Sequence, residues 1–219
     1  MNKTLHTKDG KTISAYHAGS ADAPRALVVL QEIFGVNSHI RDVCERFAAD
    51  GYEVIAPALF DRIESGKELG YTQDDVQKGL AFRSKIKLEE SLADIEAAIQ
   101  ALGKKPIGII GYCWGGTLAW QAACKLDGLR AAVCWYGGGI AEARSQSAKA
   151  PVQMHFGDQD GSIPMSDVEA IKKAQPAVEI HVYKGVGHGF GCDHRGSYDE
   201  EAYKLARKRS LDFFSKNLA

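Results

Sequence analysis

The sequence predicts an α/β protein built on a doubly wound, mostly parallel sheet with an antiparallel hairpin at its N-terminal edge. Continuous apolar runs, such as 26–30 and 131–136, are typical of strands that are buried on both faces. From residue 26 onward these runs alternate with segments of helical periodicity, which is the pattern of parallel β–α–β units. The length of 219 residues is typical of one domain. We therefore predict a single domain over 1–219, with no internal repeat or linker.

The first half of the chain contains a hairpin, two strands and three helices. Residues 3–17 alternate between apolar and polar around Asp9-Gly10, a pair that favours a tight hairpin turn. Asn37 or Ser38 can cap a helix that runs to about residue 50. The remaining predicted elements are strands at 26–30 and 52–56 and helices at about 74–84 and 87–102, with an irregular polar segment at 58–75.

The second half continues the alternation and ends in a long helix. The predicted elements are a strand that begins at 107, a helix at 117–126, strands at 131–136, 152–156 and 178–183, and helices at 165–174 and 199–216. Parallel strands bring their carboxyl ends to one edge of the sheet, where ligands bind in open α/β folds. We therefore expect the functional residues directly after these strands.

The junction between the strand from 107 and the next helix carries the first chemical signal. Gly111, Cys113 and Gly115 form a G-x-C-x-G pattern, that of a nucleophile elbow with cysteine in place of serine. Small residues on each side let the strand and the helix approach closely, and the helix N-terminus beneath the sulfur favours a thiolate. The alternative is that Cys113 is an ordinary buried cysteine beside a glycine-rich turn.

Two later strand ends carry residues that could complete a catalytic triad. In α/β-hydrolases the chain order is nucleophile, acid, histidine. Here Cys113 is followed by Asp160 after one predicted strand and by His188 after the last. Asp158 is the competing acid, but its place nearer the strand exit favours a role in the turn. The alternative for His188 is a structural turn histidine between two glycines.

Glu32 and Ile33 add a second set of candidates. Glu32 directly follows an apolar strand, a position that should be partly desolvated. The alternative is a surface glutamate near a helix, which is the usual environment of this residue type. The backbone N–H of Ile33 is well placed to donate to an oxyanion, together with the N–H of Trp114 directly after the nucleophile.

Five short stretches of the chain together resemble the dienelactone hydrolase (carboxymethylenebutenolidase) family. They are Gln31-Glu32-Ile33-Phe34-Gly35-Val36-Asn37, Ala56-Pro57, Gly111-Tyr112-Cys113-x-Gly115-Gly116, Gly157-x-x-Asp160 and Gly187-His188-x-Phe190. The resemblance implies an α/β-hydrolase fold without a large lid domain, and cleavage of a lactone or related ester by a Cys113–His188–Asp160 triad. It also implies that Glu32 keeps the resting thiol inactive and accepts its proton when substrate reorients the cysteine.

The resemblance further implies a substrate-binding arginine. Family members that act on aromatic dienelactones hold the substrate carboxylate with two arginines, and Arg62 matches the first. The second should lie four residues after His188, where this chain has Cys192, and the nearest arginine is Arg195. We expect Arg62 to bind an anionic part of the substrate, helped by Arg195 or Arg83, and neutral esters to be tolerated as well. The alternative, favoured in the absence of the resemblance, is an ordinary solvated arginine.

Composition and charge argue against several other classes of protein. The net charge of -1 offers no electrostatic basis for binding nucleic acid or an anionic membrane. No apolar run approaches the roughly 20 residues of a membrane span, and the polar N-terminus lacks a signal-peptide core. The five cysteines include no C-x-x-C pair, so neither disulfides nor a zinc knuckle are suggested. We expect a cytoplasmic enzyme that needs no metal or organic cofactor, since spacings such as H-E-x-x-H are absent.

Two other functions fit parts of the pattern. A glutamine-amidotransferase-like or stress-protein fold also places a cysteine on a strand-to-helix turn, but the order Cys113, Asp160, His188 counts against it. A non-enzymatic ligand or redox sensor could keep the hydrolase fold and use Cys113 as an oxidisable thiol. Catalytic release of nitrophenol from an activated ester distinguishes the enzyme from such a sensor.

Overall fold

The computed structural model describes residues 2–219, which form one eight-stranded sheet with helices around it. The strands are β1 (Asn2–His6), β2 (Thr12–Ala18), β3 (Ala26–Leu30), β4 (Glu53–Pro57), β5 (Ile107–Tyr112), β6 (Leu129–Trp135), β7 (Val152–Gly157) and β8 (Glu179–Tyr183). The α-helices are α1 (Ser38–Ala49), α2 (Gln73–Arg83), α3 (Leu88–Ala101), α4 (Trp114–Lys125), α5 (Met165–Ala174) and α6 (Glu200–Asn217). Short 3₁₀ helices follow β4, at Leu59–Arg62, and β6, at Gly138–Ile140.

The strand order is β1-β2-β4-β3-β5-β6-β7-β8. β1 and β2 form an antiparallel hairpin at one edge, and β2 also pairs antiparallel with β4. Every neighbouring pair from β4 to β8 is parallel. The predicted fold class is therefore confirmed: the chain has an α/β-hydrolase fold, and no large lid domain is inserted within residues 2–219.

The direction of winding across the sheet changes between β3 and β5. From β3 the chain moves outward to β4 and later returns to the other side of β3 as β5. β3 and β5 are paired in parallel, with Leu30 opposite Gly111. Residues that follow these two strands therefore emerge at the same edge, and the crevice at such a switch point is where open α/β sheets bind ligands. This topology brings the segments that carry Glu32 and Cys113 to the same edge of the sheet.

Burial on both faces explains the apolar sequences of the central strands. Every residue of β3 and of β5 is buried, as expected for strands between two helical layers. On the covering helices, α1 meets α6 through Phe47 and Phe214, whose ring centroids are 6.5 Å apart, and α3 contacts α4. Among residues 2–219 no helix has the length and apolar character that a membrane span requires.

The main difference from the predicted boundaries concerns α4, which begins at Trp114 rather than at residue 117. Gly115 and Gly116 suggest a turn in the sequence, yet both lie inside the helix. A Cβ atom on Gly115 would lie 2.5 Å from the carbonyl oxygen of Leu30, and one on Gly116 would lie 2.4 Å from that of Trp135. These glycines therefore permit close helix–sheet packing. The other predicted helix and strand ends agree with the structure within two residues.

Candidate active site

Cys113 occupies a strained turn between β5 and α4. Its φ of 55° and ψ of -117° lie in a region that side-chain-bearing residues rarely adopt. The turn is held by a hydrogen bond of 3.0 Å from the N–H of Cys113 to the carbonyl of Trp135. A Cβ on Gly111 would lie 1.9 Å from the Gly115 carbonyl oxygen, so only glycine fits there. Strain of this kind is stored at functional sites, where it fixes the direction of one side chain.

His188 and Asp160 are joined by a short hydrogen bond. His188 Nδ1 lies 2.7 Å from Asp160 Oδ2. The other carboxylate oxygen accepts hydrogen bonds from the N–H of Ser162 at 2.9 Å and from its hydroxyl at 2.7 Å. Burial alone would raise the pKa of Asp160, but the hydrogen bonds from His188 and Ser162 outweigh it and hold this pKa below its ordinary value. Asp160 is therefore an ionised, fixed acceptor for the imidazole.

The second partner of His188 is Cys113. Burial lowers the pKa of His188, but hydrogen bonds to Asp160 and to Cys113 raise it more strongly, to about 10. Since Nδ1 is taken by Asp160, the ring presents Nε2 to the thiol. The structure thus brings Cys113, His188 and Asp160 together in the order that a nucleophile, its base and the orienting acid require.

Asp158, the competing acid, serves a turn. Its Oδ1 accepts a hydrogen bond of 2.7 Å from the N–H of Gly185, which connects the end of β7 to the loop after β8. Its side chain thus holds this turn, whereas Asp160 holds His188. The preference for Asp160 made from the sequence agrees with these contacts.

The two residues whose backbone N–H groups are expected to bind the oxyanion line the same cleft as the cysteine. Ile33, Cys113, Trp114 and His188 all line it. Trp114 opens α4, and the first N–H groups of a helix have no intrahelical acceptor. Ile33 is held from behind by α2, since a Cβ on Gly79 would lie only 2.0 Å from the Ile33 carbonyl oxygen.

Glu32 is buried, with 1% of its surface exposed. Its Oε1 accepts a hydrogen bond of 3.2 Å from Arg195 Nη1, while its Oε2 has no hydrogen-bond partner within residues 2–219. Arg195 packs against the loop that carries His188, because a Cβ on Gly189 would lie 2.5 Å from its Nη1. Arg195 therefore links Glu32 to the histidine loop, close to the position where the resemblance led us to expect an arginine and where this chain has Cys192.

Glu32 also belongs to a group of side chains that could ligate a metal ion. One potential ligand atom from each of Glu32, His39 and Cys192 lies within 4.8 Å of the other two. His39 Nδ1 contacts Asp193 Oδ1 at 3.1 Å, which leaves His39 Nε2 without a hydrogen-bond partner in the described part of the chain.

Arg62 lies apart from this cleft, and the structure contradicts its predicted role in binding substrate. Its side chain is only 2% exposed. Nε and Nη2 each donate to a carboxylate oxygen of Asp94 at 2.8 Å, and Nη1 donates to Asp9 at 2.7 Å. Burial raises the pKa of Asp94 to about 6 despite the contact with Arg62. All three nitrogens of the guanidinium therefore donate to carboxylates of the protein itself. No pair of its N–H groups is left to bind a substrate carboxylate.

The cleft beside Cys113 has a volume of about 390 Å³. Cys113, His188 and Ser162 line it together with Leu80 and Arg83 from α2 and Glu142 from the loop after β6. Arg83 and Glu142 are both exposed, and neither forms an ion pair within residues 2–219. Among the described residues that line the cleft, one arginine and one glutamate are thus without an ion pair, and no pair of arginines is present.

Sequence reasoning missed two residues of the site. Ser162 and His188 are both hydrogen-bonded to the carboxylate of Asp160, and the Ser162 hydroxyl also lies 3.2 Å from His188 Nδ1. Tyr136, with a φ of 37°, packs its ring against that of His188, with centroids 5.1 Å apart. Tyr136 follows β6 directly, so the rule that strand ends carry function could have identified it. Ser162 could have been identified as a hydroxyl two residues after a carboxylate, which is typical of a side-chain-stabilised turn.

A family model, curated relatives and a solved structure all connect this chain with dienelactone hydrolases. The model of the dienelactone hydrolase family matches residues 13–218. A "Putative carboxymethylenebutenolidase" of Synechocystis sp. is 38% identical in an alignment of 212 positions that covers 88% of this chain and 86% of that protein. The carboxymethylenebutenolidase of Pseudomonas putida is 32% identical in an alignment of 225 positions that covers 97% of this chain and 94% of that protein. A crystal structure titled "Putative Dienelactone Hydrolase", from Klebsiella pneumoniae, is similar with a TM-score of 0.85 and 32% identity, covering 99% of this chain and 98% of that chain.

Proposed function

The chain belongs to the dienelactone hydrolase family, and from that premise we propose that it hydrolyses a lactone or carboxylic ester through a Cys113–His188–Asp160 triad. One observation carries the proposal. His188 is hydrogen-bonded both to the buried Asp160, at 2.7 Å, and to a cysteine held in a strained strand-to-helix turn. A cysteine placed only for packing has no need of an oriented imidazole or of strained backbone.

The proposed reaction begins with attack by the Cys113 thiolate on the substrate carbonyl carbon. A carbon–sulfur bond forms, and the carbonyl electron pair moves to the oxygen, which accepts hydrogen bonds from the N–H groups of Ile33 and Trp114. The protonated His188 then gives its proton to the leaving alkoxide, and an acyl thioester on Cys113 results. In a lactone the alcohol stays attached to the acyl group, so the ring simply opens.

Water completes the cycle. His188 Nε2 removes a proton from a water molecule that attacks the thioester carbonyl, and collapse of the second oxyanion expels the Cys113 thiolate with release of the acid. Asp160 stays ionised throughout, because its part is to hold the imidazole in one tautomer and stabilise the imidazolium. Every proton that His188 gives up in acylation is thus recovered in deacylation.

Glu32 is proposed to control the resting thiol. Its Oε2 is buried and unpartnered, so it can take a proton without first breaking a hydrogen bond. Arg195 holds the other oxygen and keeps the carboxylate in place. In this proposal the Cys113 side chain reorients when substrate enters, its proton passes to Glu32, and the thiolate then pairs with the protonated His188. When the product leaves, Glu32 returns this proton to the Cys113 thiolate, which restores the resting thiol.

The charge preference of the cleft is proposed to be mild. Arg83 lines the cleft without an ion pair to any residue in 2–219, and the exposed Glu142 also lines it. An anionic substrate would therefore meet one guanidinium rather than two. We propose that neutral and anionic esters are both accepted, and that Arg83 rather than Arg62 contacts any substrate carboxylate.

The proposal is tested with p-nitrophenyl acetate. Wild-type protein should release nitrophenol catalytically, and Cys113→Ala should lose turnover by about 10³-fold or more. Cys124→Ala is the matched control, since this half-buried free cysteine lies on the same helix and outside the cleft. Wild-type turnover by Cys113→Ala would refute the proposal, and one equivalent of nitrophenol without turnover would favour the sensor.

A further inference from the structure

We propose that the catalytic cleft continues into an acyl-binding groove, and that the groove selects esters with an extended acyl arm bearing a polar group. The proposal rests on the hydrolysis proposed above and concerns which substrates that reaction favours. It assigns a binding role to Gln121 and to a surface outside the triad. Three observations support it: the groove shares a wall with the cleft, the acyl arm must point away from His188, and the groove is lined by apolar side chains and unpartnered amide oxygens.

The groove adjoins the cleft along a shared wall. The groove has a volume of about 710 Å³, compared with about 390 Å³ for the cleft. Six residues line both: Leu80, Arg83, Trp114, Thr117, Gly139 and Glu142. A substrate seated at Cys113 therefore lies next to a space almost twice as large as the cleft. A compact lactone would leave that space empty.

The position of His188 decides which part of the substrate enters the groove. His188, Ser162 and Cys113 line the cleft but not the groove. His188 must protonate the leaving oxygen, so the leaving group lies on the cleft side. The acyl carbon is bonded to Cys113, and its substituent points away from His188. The acyl arm therefore extends past Trp114 and Thr117 into the groove.

The groove has apolar walls and two amide oxygens that have no hydrogen-bond partner within residues 2–219, those of Gln121 and Gln146. Leu80, Ile86 and Leu88 form part of the wall, and Leu80 is 40% exposed there, an unusual degree for a large apolar side chain of this protein. Gln121, on α4, is the more buried of the two, with 7% of its surface exposed, and its Oε1 has no hydrogen-bond partner within residues 2–219. Buried polar groups are ordinarily paired. An amide oxygen accepts hydrogen bonds, so a hydroxyl or amide N–H on the acyl arm would satisfy it.

The experiment compares p-nitrophenyl esters that differ only in the acyl part. They are the acetate, the octanoate and an octanoate that carries a hydroxyl group near the far end of the chain. For wild-type protein kcat/KM should rise roughly three- to fourfold for each methylene that the groove buries. The hydroxylated ester should exceed the plain octanoate by up to about tenfold, the value of one neutral hydrogen bond.

Two variants test the groove itself. Ala143→Trp narrows it, since Ala143 lines the groove but not the cleft, and the carbonyl of Ala143 remains anchored by Trp120 Nε1 at 3.1 Å. This variant should lower kcat/KM for the octanoate and leave kcat/KM for the acetate unchanged. If the tryptophan prevents folding, Ala143→Phe is used instead. Gln121→Leu should remove the advantage of the hydroxyl group and spare the plain octanoate. Gln100→Leu, exposed on α3 outside the groove, is its control.

The outcomes separate this inference from the proposed function. If the acetate is not hydrolysed at all, the triad proposal fails. If the acetate is hydrolysed but kcat/KM is no higher for the octanoate than for the acetate, the groove does not bind the acyl arm and the inference is overturned. Equal losses on both esters in folded Ala143→Trp would overturn it as well. A hydroxyl advantage that survives Gln121→Leu would overturn the role of Gln121.

Discussion

Replacing Asp160 by asparagine removes the charge that orients His188 and changes little else. Oδ2 is the oxygen bonded to His188, at 2.7 Å. Oδ1 accepts two hydrogen bonds from Ser162, at 2.9 and 2.7 Å. An asparagine can keep its carbonyl oxygen toward Ser162, so the loop should hold its conformation. The amide nitrogen would then face His188 Nδ1 and force the wrong imidazole tautomer.

The size of the effect can be worked out from this single contact. A hydrogen bond to a charged group is worth about 1.5–3 kcal/mol, and one pKa unit corresponds to about 1.36 kcal/mol. Loss of the carboxylate should therefore lower the pKa of His188, now about 10, by about one to two units. With the tautomer reversed, kcat should fall by about 10³–10⁴-fold, as expected when the acid of a triad is made neutral.

Two measurements check this prediction. NMR titration of the His188 ring reports its pKa, and steady-state hydrolysis of p-nitrophenyl acetate reports kcat. Asp158→Asn is the matched control, because Asp158 bonds to the N–H of Gly185 and not to the histidine. Asp160→Asn with an unchanged His188 titration and wild-type kcat would refute the reasoning. An equal loss of activity in Asp158→Asn would refute the choice of acid.

Arg62→Ala should destabilise the protein by about 3–5 kcal/mol, because the fully buried Asp94 loses its partner. Urea unfolding measures this loss, and a folded variant with much lower kcat/KM for neutral esters would contradict it. Glu32→Gln should alter the pH dependence of iodoacetamide labelling at Cys113, because glutamine cannot take the thiol proton. If the labelling rate of the variant depends on pH as that of wild type does, Glu32 does not control the thiol. His188 has a folded pKa of about 10, above its ordinary 6.5, so its protonation stabilises the fold fully below about pH 6.5 and the contribution disappears as pH rises through about 10. Urea titrations of wild type and His188→Gln over this range should converge at high pH, and a constant difference would contradict the linkage.

The elements of the fold could be predicted because their signals are local. Apolar runs, helical periodicity and capping residues act within a few positions of the chain, and Asn37 does cap α1 by accepting from the N–H of Ile40. The order of strands and helices then restricts the sheet to a doubly wound arrangement. The start of α4 was the exception, since Gly115 and Gly116 are present for contacts with Leu30 and Trp135 that only the packed sheet supplies.

The candidate triad was also accessible from sequence, for a topological reason. Cys113, Asp160 and His188 each follow a predicted strand, and parallel strands deliver their carboxyl ends to one edge. Knowing that the strands are parallel was therefore enough to expect the three residues together. The choice between Asp158 and Asp160, two residues apart, is decided by which carboxylate reaches the histidine and which reaches Gly185.

Charge pairing and cavity shape were decided by the tertiary structure alone. Arg62 is 53 residues from Asp9 and 32 from Asp94, and Arg195 is 163 residues from Glu32. No local pattern records such pairs, because an arginine binds whichever carboxylate the packing of remote elements brings within reach. The sequence by itself thus determined the order of elements and the strand ends that bear chemistry. Packing determined which charged side chains form ion pairs within the protein and which remain available to a substrate. Burial and Coulomb interaction depend on distances that only the folded chain defines.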